Sequence, residues 1–530
     1  MGRHNNRGDI MRRRDFLKAA PALMAPALAH AQARPLRYIP NAGLSAIDPI
    51  WTTALIAGIH GYMVFDTLYG LDDMGQSRPQ MCAGHDVSAD GLTWTFTLRD
   101  GLTFHDGERV LAKDCAMSVR RWGSRDSFGQ PLLAATNDIE TIDDRRFRIR
   151  LKRPFSQMLY GLAARGCFMM PERMAKTPGT EQIREAIGSG PFRFLPDQWV
   201  SGVSAAYAKF DGYVPRQEPP SFLAGGKAVN VQRVEWVVQP DSATAAAALQ
   251  KGEVDWLEVP LIDLCPMLRH SPDVQVAVND PFGWPLVLAL NHLQPPFNNP
   301  KLRRALLPAI DQKMFLASVV GDQTELGRAP TGYFIEGQPM SSHAGLDVLS
   351  GPRDDALAAR LVRDSGYAGE TVVMLSPTDR PVYNQMMQVA RDVFVRIGLN
   401  VDFRQMDWGS VVTRRTSREP VAQGGWSCFI TQIEGVAACT PGGSFELRGN
   451  GAKAWYGWPD DEELERLRTA WFDAPDLSAQ KAIAEKVQMR ALETLPCIPL
   501  GQLFQPTAFR SDITDIVKAA FPLFWGVRRG

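Results

Sequence analysis

Between Ala89 and Trp122 the chain reads ADGLTWTFTLRDGLTFHDGERVLAKDCAMSVRRW, and its apolar positions change period part-way. Leu92, Trp94, Phe96 and Leu98 are apolar, with Thr93, Thr95 and Thr97 between them. Alternation of period two predicts a half-buried strand. Arg99-Asp100-Gly101 predicts a turn, Leu102 and Phe104 a resumed alternation, and His105-Asp106-Gly107 a second turn. From Ala112 the period lengthens. Cys115, Val119 and Trp122 fall at i, i+4 and i+7, one face of a helix. The block therefore predicts a hairpin followed by a helix.

Similar units recur downstream. DSATAAAALQKGEVDW predicts a short helix after Pro240-Asp241, a glycine turn and a strand over Val254 to Val259. Leu286 to Leu290 predicts a buried strand, Leu302 to Ile310 a helix in spite of Pro308, and Gly369 to Leu375 a strand. Tyr383 to Ile397 predicts a helix, and Asn400 to Met406 a strand with Val401, Phe403 and Gln405 on one face. Phe282-Gly283-Trp284-Pro285 predicts a bend in the chain. Residues 201–230, rich in Gly, Pro and Ser, predict a surface excursion. Alternating strands and helices over 530 residues predict an α/β protein of two or three domains.

The order and spelling of the first block resemble the family 5 extracellular solute-binding proteins, the oligopeptide-, dipeptide- and nickel-binding components of ABC importers. The resemblance rests on Asp90-Gly91, Thr93 to Phe96, Leu98-Arg99, Phe104 to Gly107, Ala112, Asp114, Ser118 and Arg121. Leu111 departs from it, standing where the family has a Ser or Thr helix cap, and this predicts a weaker helix start. Gly188-Ser189-Gly190-Pro191-Phe192, Asn291 to Gly321, and Cys497 to Leu500 with Phe509-Arg510 are similar to later family segments in the same order. The resemblance implies a two-lobed periplasmic binding protein (Venus-flytrap) with an additional domain. Lobe I would comprise 34–75, 190–285 and 499–530, the extra domain 76–189, and lobe II 286–498. A ligand would be enclosed as the lobes hinge shut.

Residues 1–33 read as a twin-arginine signal peptide, with Arg13-Arg14-Asp15-Phe16-Leu17-Lys18, a short apolar stretch and small-x-small cleavage candidates at Ala29–Ala33. Met11 is an alternative start. Periplasmic export by the twin-arginine route is expected. The chain is formally neutral, and without residues 1–33 it carries a net charge of −4. That mild acidity argues against a nucleic-acid partner. Seven cysteines cannot all pair; Cys428 with Cys439 is a disulfide candidate, against seven free buried thiols.

Catalytic patterns are missing. There is no G-x-S-x-G, no H-x-x-x-H and no P-loop, since Gly226-Lys227 is followed by Ala228. Ser478-Ala479-Gln480-Lys481 spells S-x-x-K but follows Pro475-Asp476 and opens a helix. No catalytic residue, metal or cofactor is expected.

Ligand-binding candidates are Trp51, Thr52, Trp408, Trp426, Ser427, Cys428, Phe429 and Glu434. Gly425 to Phe429 resembles the family's "gW.aDy" segment, whose Asp pairs with the ammonium group of a bound peptide. Phe429 occupies that Asp position, and Glu434 is a displaced carboxylate candidate. Trp51 and Thr52 follow Asp48-Pro49, similar to the family's "lDP" region, and Trp408 follows a strand end, where α/β lobes bind ligands. A charge-assisted hydrogen bond is worth about 1.5–3 kcal/mol, so losing it disfavours an α-ammonium ligand. The expected function is a monomeric, non-inserted binding protein that captures a small organic solute, non-peptide rather than peptide-like. It would deliver that solute to a membrane permease driven by separate ATPase subunits. The alternatives are a periplasmic hydrolase on an α/β scaffold and a sensory or chaperone protein without a transporter.

Overall fold

A computed structural model describes residues 34–164 and 166–530; the signal-peptide expectation lies outside these residues. Three sheets organise the chain. A seven-stranded sheet runs in the order Phe192–Phe194, Ser204–Lys209, Arg233–Val237, Leu36–Ile39, Trp256–Leu257, Thr507–Arg510, Val274–Ala277. Its central strand, Leu36–Ile39, lies parallel to both neighbours. A six-stranded sheet runs Gly327–Arg328, Cys497–Leu503, Trp284–Leu290, Cys428–Gln432, Thr371–Pro377, Asn400–Met406. Within it, Thr371–Pro377 is parallel to Asn400–Met406 and to Cys428–Gln432. The third sheet is four-stranded and antiparallel, Cys82–Val87, Thr93–Leu98, Arg146–Leu151, Thr136–Thr141.

The chain crosses between the two large sheets after Val274–Ala277 and returns after Cys497–Leu503. At the outward crossing Gly283 holds φ +59°, and a Cβ there would lie 3.0 Å from the side-chain nitrogen of Gln502 and 3.1 Å from the Leu503 carbonyl. Glycine is required by both the backbone conformation and the closeness of the two crossing segments. Gln502 donates its amide to the Phe282 carbonyl, tying outward and return segments together.

The alternating threonine strand forms as Thr93–Leu98, with Phe96 and Leu98 buried. Its hairpin partner differs from the expected one. It pairs with Cys82–Val87 upstream and Arg146–Leu151 downstream, whereas 102–104 closes a tight loop through a Thr103–Arg109 bridge and the Phe104 amide bonded to the Glu108 carbonyl. The turn at Gly107, φ +91°, consumes the backbone groups that a further strand would have needed. The helix Ala112–Gly123 follows. Leu111 supplies no cap, but Asp114 accepts the Leu111 amide at 2.8 Å, the returning half of a capping box. Pro308 does end its helix. Pro300–Ala305 is α-helical and Leu307–Ala309 is a 3-10 turn, because proline lacks the N–H and collides with the preceding turn. The strand expected over 254–259 shortens to Trp256–Leu257. Ser478 and Lys481 are exposed at the start of helix Leu477–Thr494, which Asp476 caps.

All seven cysteines are buried free thiols, so Cys428 and Cys439 are not joined. Cys428 is fixed within a central strand, and the Cys439 thiol donates to the Gly435 carbonyl at 3.3 Å. Among the described residues, no helix is long and apolar enough to cross a membrane.

A buried ion pair joins the first loop to the smaller sheet's helix. Arg121 makes a two-pronged contact with Asp48, Nη2 to Oδ2 at 2.7 Å and Nη1 to Oδ1 at 3.1 Å, with both side chains excluded from solvent. Asp48 also accepts the amides of Ile50, Trp51 and Ile183. Arg121 donates further to the carbonyls of Thr177 and Glu181. Asp48→Ala would leave a buried guanidinium without its counter-charge. We expect a loss of about 3–5 kcal/mol in stability, read from the urea unfolding midpoint; a loss below about 1 kcal/mol would show that water reaches the site.

Candidate functional site

The carboxyl ends of parallel strands in the two large sheets approach each other. Leu36–Ile39 is followed by Asn41, and Thr371–Pro377 by Arg380, whose Nη1 lies 3.4 Å from the Asn41 side-chain oxygen. Asn41 is held from behind, since its amide donates to Glu258 at 2.7 Å and Tyr38 donates to the same carboxylate at 2.5 Å. Loops at such strand ends are free to carry ligand-facing side chains in α/β lobes. Here they also carry Tyr383, at the start of helix Pro381–Arg396, and Trp408, at the start of helix Trp408–Arg414. Asp407 caps the second helix by accepting the Ser410 amide, and Asp379 accepts the Trp408 amide at 2.7 Å.

Beneath these loops, one face of the six-stranded sheet carries a small apolar cluster separate from the main core: Ala289, Val373, Leu375, Val411, Trp426, Phe429 and Trp458. Trp426 and Phe429 are fully buried, with ring centroids 5.1 Å apart. The Trp426 indole N–H donates to the Ser417 carbonyl at 3.2 Å. Trp455 lies 5.9 Å from Phe429 and 5.5 Å from Phe445, and Trp408 lies 5.1 Å from Tyr383.

One cation sits over this floor. The Arg415 guanidinium carbon is 4.3 Å from the Tyr456 ring centroid, 5.4 Å from Trp408 and 5.5 Å from Phe429. Cation–π contacts of this kind favour arginine. Burial lowers its pKa, with the Tyr456 and Tyr383 phenols acting in the opposite direction.

The expected site residues divide by position. Trp408, Trp426 and Phe429 belong to this one cluster. Ser427 is a sheet residue, its hydroxyl oxygen accepting the Val373 amide at 3.0 Å, and Cys428 is buried in the main core with its thiol pKa pushed up by burial. The Trp51 indole N–H donates to the Thr180 carbonyl. Thr52 accepts the Ala54 amide in a local turn. Neither contact joins the Trp408 cluster. Glu434 stands past the end of Cys428–Gln432, beside the crossing, where it adds to the burial that pushes Asp280 up to about 7. Tyr383, Arg415, Trp455 and Tyr456 were not among the expected residues. Arg415 had a readable signal, because it lies seven positions after Trp408 and four after Val411, on one helical face.

Residues 76–442 match the model of the bacterial extracellular solute-binding proteins, family 5. The chain belongs to this family. It is therefore a solute-binding protein of an ABC importer, built on the two-lobed binding-protein fold. It is 38% identical over 527 residues, 98% of this chain and 99% of the relative, to the probable peptide ABC transporter periplasmic-binding protein y4tO of Sinorhizobium fredii. Among solved structures it resembles DppA of Helicobacter pylori in complex with the peptide STSA, with TM-score 0.77 and 18% identity over 94% of this chain and 98% of the other. It also resembles the binding protein AgaA of A. tumefaciens R10 in complex with agropinic acid, with TM-score 0.76 and 20% identity over 94% of this chain and 99% of the other.

Two measurements check this geometry. Trp426→Ala empties a fully buried indole site and should cost about 3–5 kcal/mol, whereas Trp408→Ala, at a half-buried position, should cost about 1 kcal/mol or less. Equal costs in urea unfolding would place Trp408 in the core. The second concerns pH. Between about 4 and 7 the folded protein keeps a proton on Asp280 that the unfolded chain has released. Asp280 therefore makes stability fall as pH rises through that window, by at most about 1.4 kcal/mol per pH unit, and contributes nothing below it. Subtracting the Asp280→Asn stability profile from wild type should isolate this slope; parallel profiles would show a carboxyl that titrates normally.

Proposed function

We propose that this chain captures, in the periplasm, a small organic solute that carries no free α-ammonium group at the Phe429 end of the cleft. The solute is enclosed between a lobe built on the seven-stranded sheet, with the four-stranded domain attached, and a lobe built on the six-stranded sheet. It is then handed unchanged to a membrane permease driven by separate ATPase subunits. Trp408 contributes a wall of the cleft and Phe429 its apolar floor over Trp426. Trp51 and Thr52 belong to the opposite rim, and Glu434 to the base near the crossing. Export by the twin-arginine route and a monomeric state complete the reading.

One observation carries it. The Arg415 guanidinium lies over the ring of Phe429, 5.5 Å from the centroid, so a positive charge faces that ring. An ammonium group placed there meets an apolar ring and a like charge in place of a carboxylate, which costs affinity on both counts. The neighbour AgaA, with agropinic acid in its structure, illustrates a non-peptide ligand on the same fold.

A peptide ligand is the second reading, favoured by the name of the y4tO protein, a probable peptide-binding component 38% identical to this chain. Thermal unfolding with a panel of di- and tripeptides, opines, sugars, aromatic acids and metal chelates separates the two. A ligand at a hundred times its dissociation constant adds about 2.7 kcal/mol to stability. We expect such a shift from a non-peptide member of the panel. A comparable shift from ordinary free-amine peptides alone would establish the peptide reading instead. Recovery of the ligand chemically unchanged after prolonged incubation checks that the protein binds without turnover.

A further inference from the structure

Three arginines lie close together after Trp408, and their donors are used differently. Arg414 donates to the carbonyls of Gly424 and Gly425, at 3.2 and 3.0 Å. Arg418 donates to the Ala452 carbonyl at 2.7 Å and lies over the Trp458 ring at 5.1 Å. Arg415, between them, is half-buried and surrounded by rings. Its Nε is buried with no hydrogen-bond partner, and among the described residues no carboxylate forms an ion pair with it. A desolvated guanidinium normally has its donors satisfied, because an unpaired buried charge is costly.

The rings meet the faces of the guanidinium, and Tyr456 also hydrogen-bonds it, which leaves the Nε edge without a partner. The edge is a planar fork, which fits the two oxygens of a carboxylate. The surroundings suit the rest of such a ligand. Trp408 and Tyr383 give half-buried aromatic surface, and Arg380 lies at the opening toward Asn41 of the other sheet.

We propose that Arg415 is the specificity-determining anion receptor of the cleft, and that the ligand is an organic carboxylate whose carboxylate group is held by the edge of this caged guanidinium while its apolar or hydroxylated body rests on Trp408 and Tyr383. The inference rests on the reading that the Phe429 end of the cleft excludes an ammonium. It adds the opposite half, namely the group which that end accepts. The carboxylate could belong to an aromatic or hydroxy acid or to the C-terminus of a peptide bound in reverse, and the experiment separates these sources.

Full-length protein, with the variants Arg415→Gln and Arg415→Lys, is titrated with benzoate and with benzamide, its uncharged counterpart. Binding is followed by calorimetry and tryptophan fluorescence, and folding of each variant by its unfolding midpoint. Wild type should prefer benzoate by about 10- to 100-fold. Arg415→Gln should abolish that preference, and Arg415→Lys, which keeps the charge and loses the fork, should retain part of it. Equal binding of the two probes to wild type, no benzoate binding up to about 50 mM, or a preference that survives in Arg415→Gln each overturns the proposal. Should Arg415→Gln not fold, the wild-type comparison together with Arg415→Lys still decides it. Gluconate, N-acetyl-Ala-Phe and free Ala-Phe form the second arm. Tighter binding of gluconate or benzoate assigns the carboxylate to a non-peptide acid, and tighter binding of N-acetyl-Ala-Phe assigns it to a peptide terminus. Free Ala-Phe binding more tightly than its N-acetyl form would overturn the no-ammonium reading by itself, an outcome distinct from failure of the Arg415 preference.

Discussion

The arrangement of the cleft depends on one buried ion pair, Asp48 with Arg121. Its position explains why two distant stretches of sequence belong together. Asp48 stands nine residues after the central strand Leu36–Ile39, in the loop that leads from Asn41 toward helix Leu55–Val64. Arg121 lies in the last turn of the helix that follows the alternating strand of the smaller sheet. A buried pair of this kind is stable only when its remaining donors and acceptors are answered, because desolvation otherwise outweighs attraction. Here they are answered by three amides on the carboxylate and two carbonyls on the guanidinium. The loop that carries Asn41 and Trp51 is thus fixed against the helix Ala112–Gly123. His105 makes a second tie, with its Nε2 3.0 Å from the Gly190 carbonyl and its pKa lowered to about 4 by burial. On the proposed reading, the stretch at 89–122 works at a distance from the ligand, by holding the first rim in place.

How much of this was legible depended on whether a pattern was local. Period-two alternation marked Thr93–Leu98, and the change to a helical period marked Ala112–Gly123, because each side chain there answers to a single buried face. Strand pairing was not local. The partner of Thr93–Leu98 lies upstream at Cys82–Val87, and nothing in the alternation itself says which neighbour completes the ladder. Pro308 was misjudged for a similar reason, since the apolar spacing around it continues while the hydrogen bonding stops. At the site, Trp408 was readable from a strand end. Arg415 was passed over because Arg-Arg at the end of a short helix resembles a solvated face. Its spacing from Trp408 and Val411 was the sign that it turns inward.

The Phe429 ring and the cation above it form one electrostatic unit. On the proposed reading, an aromatic ring in place of a carboxylate removes a group that would have neutralised Arg415; the ring supplies a π-face that accommodates it. A carboxylate at 429 would pair with Arg415 and silence both groups; with a ring there, Arg415 keeps a buried Nε without a partner. The polarity of the site is then set, on the proposed reading, by a pair of residues fourteen positions apart in sequence, and neither residue alone discloses it.

The same pair bears on how closure and selectivity are linked. Bringing the two large sheets together removes water from whatever lies between them, and a half-buried cation with an unpartnered Nε opposes that step. An uncharged solute offers no compensation, and a cationic one adds repulsion. A carboxylate answers the donors as the water leaves, so its interaction strengthens with the same movement that buries it. On the proposed reading, a ligand shifts the population toward the closed form only through a difference in affinity between the two forms, and Arg415 supplies that difference for anions. Selectivity would then lie less in the shape of the open cleft than in which solutes permit the closed one to persist.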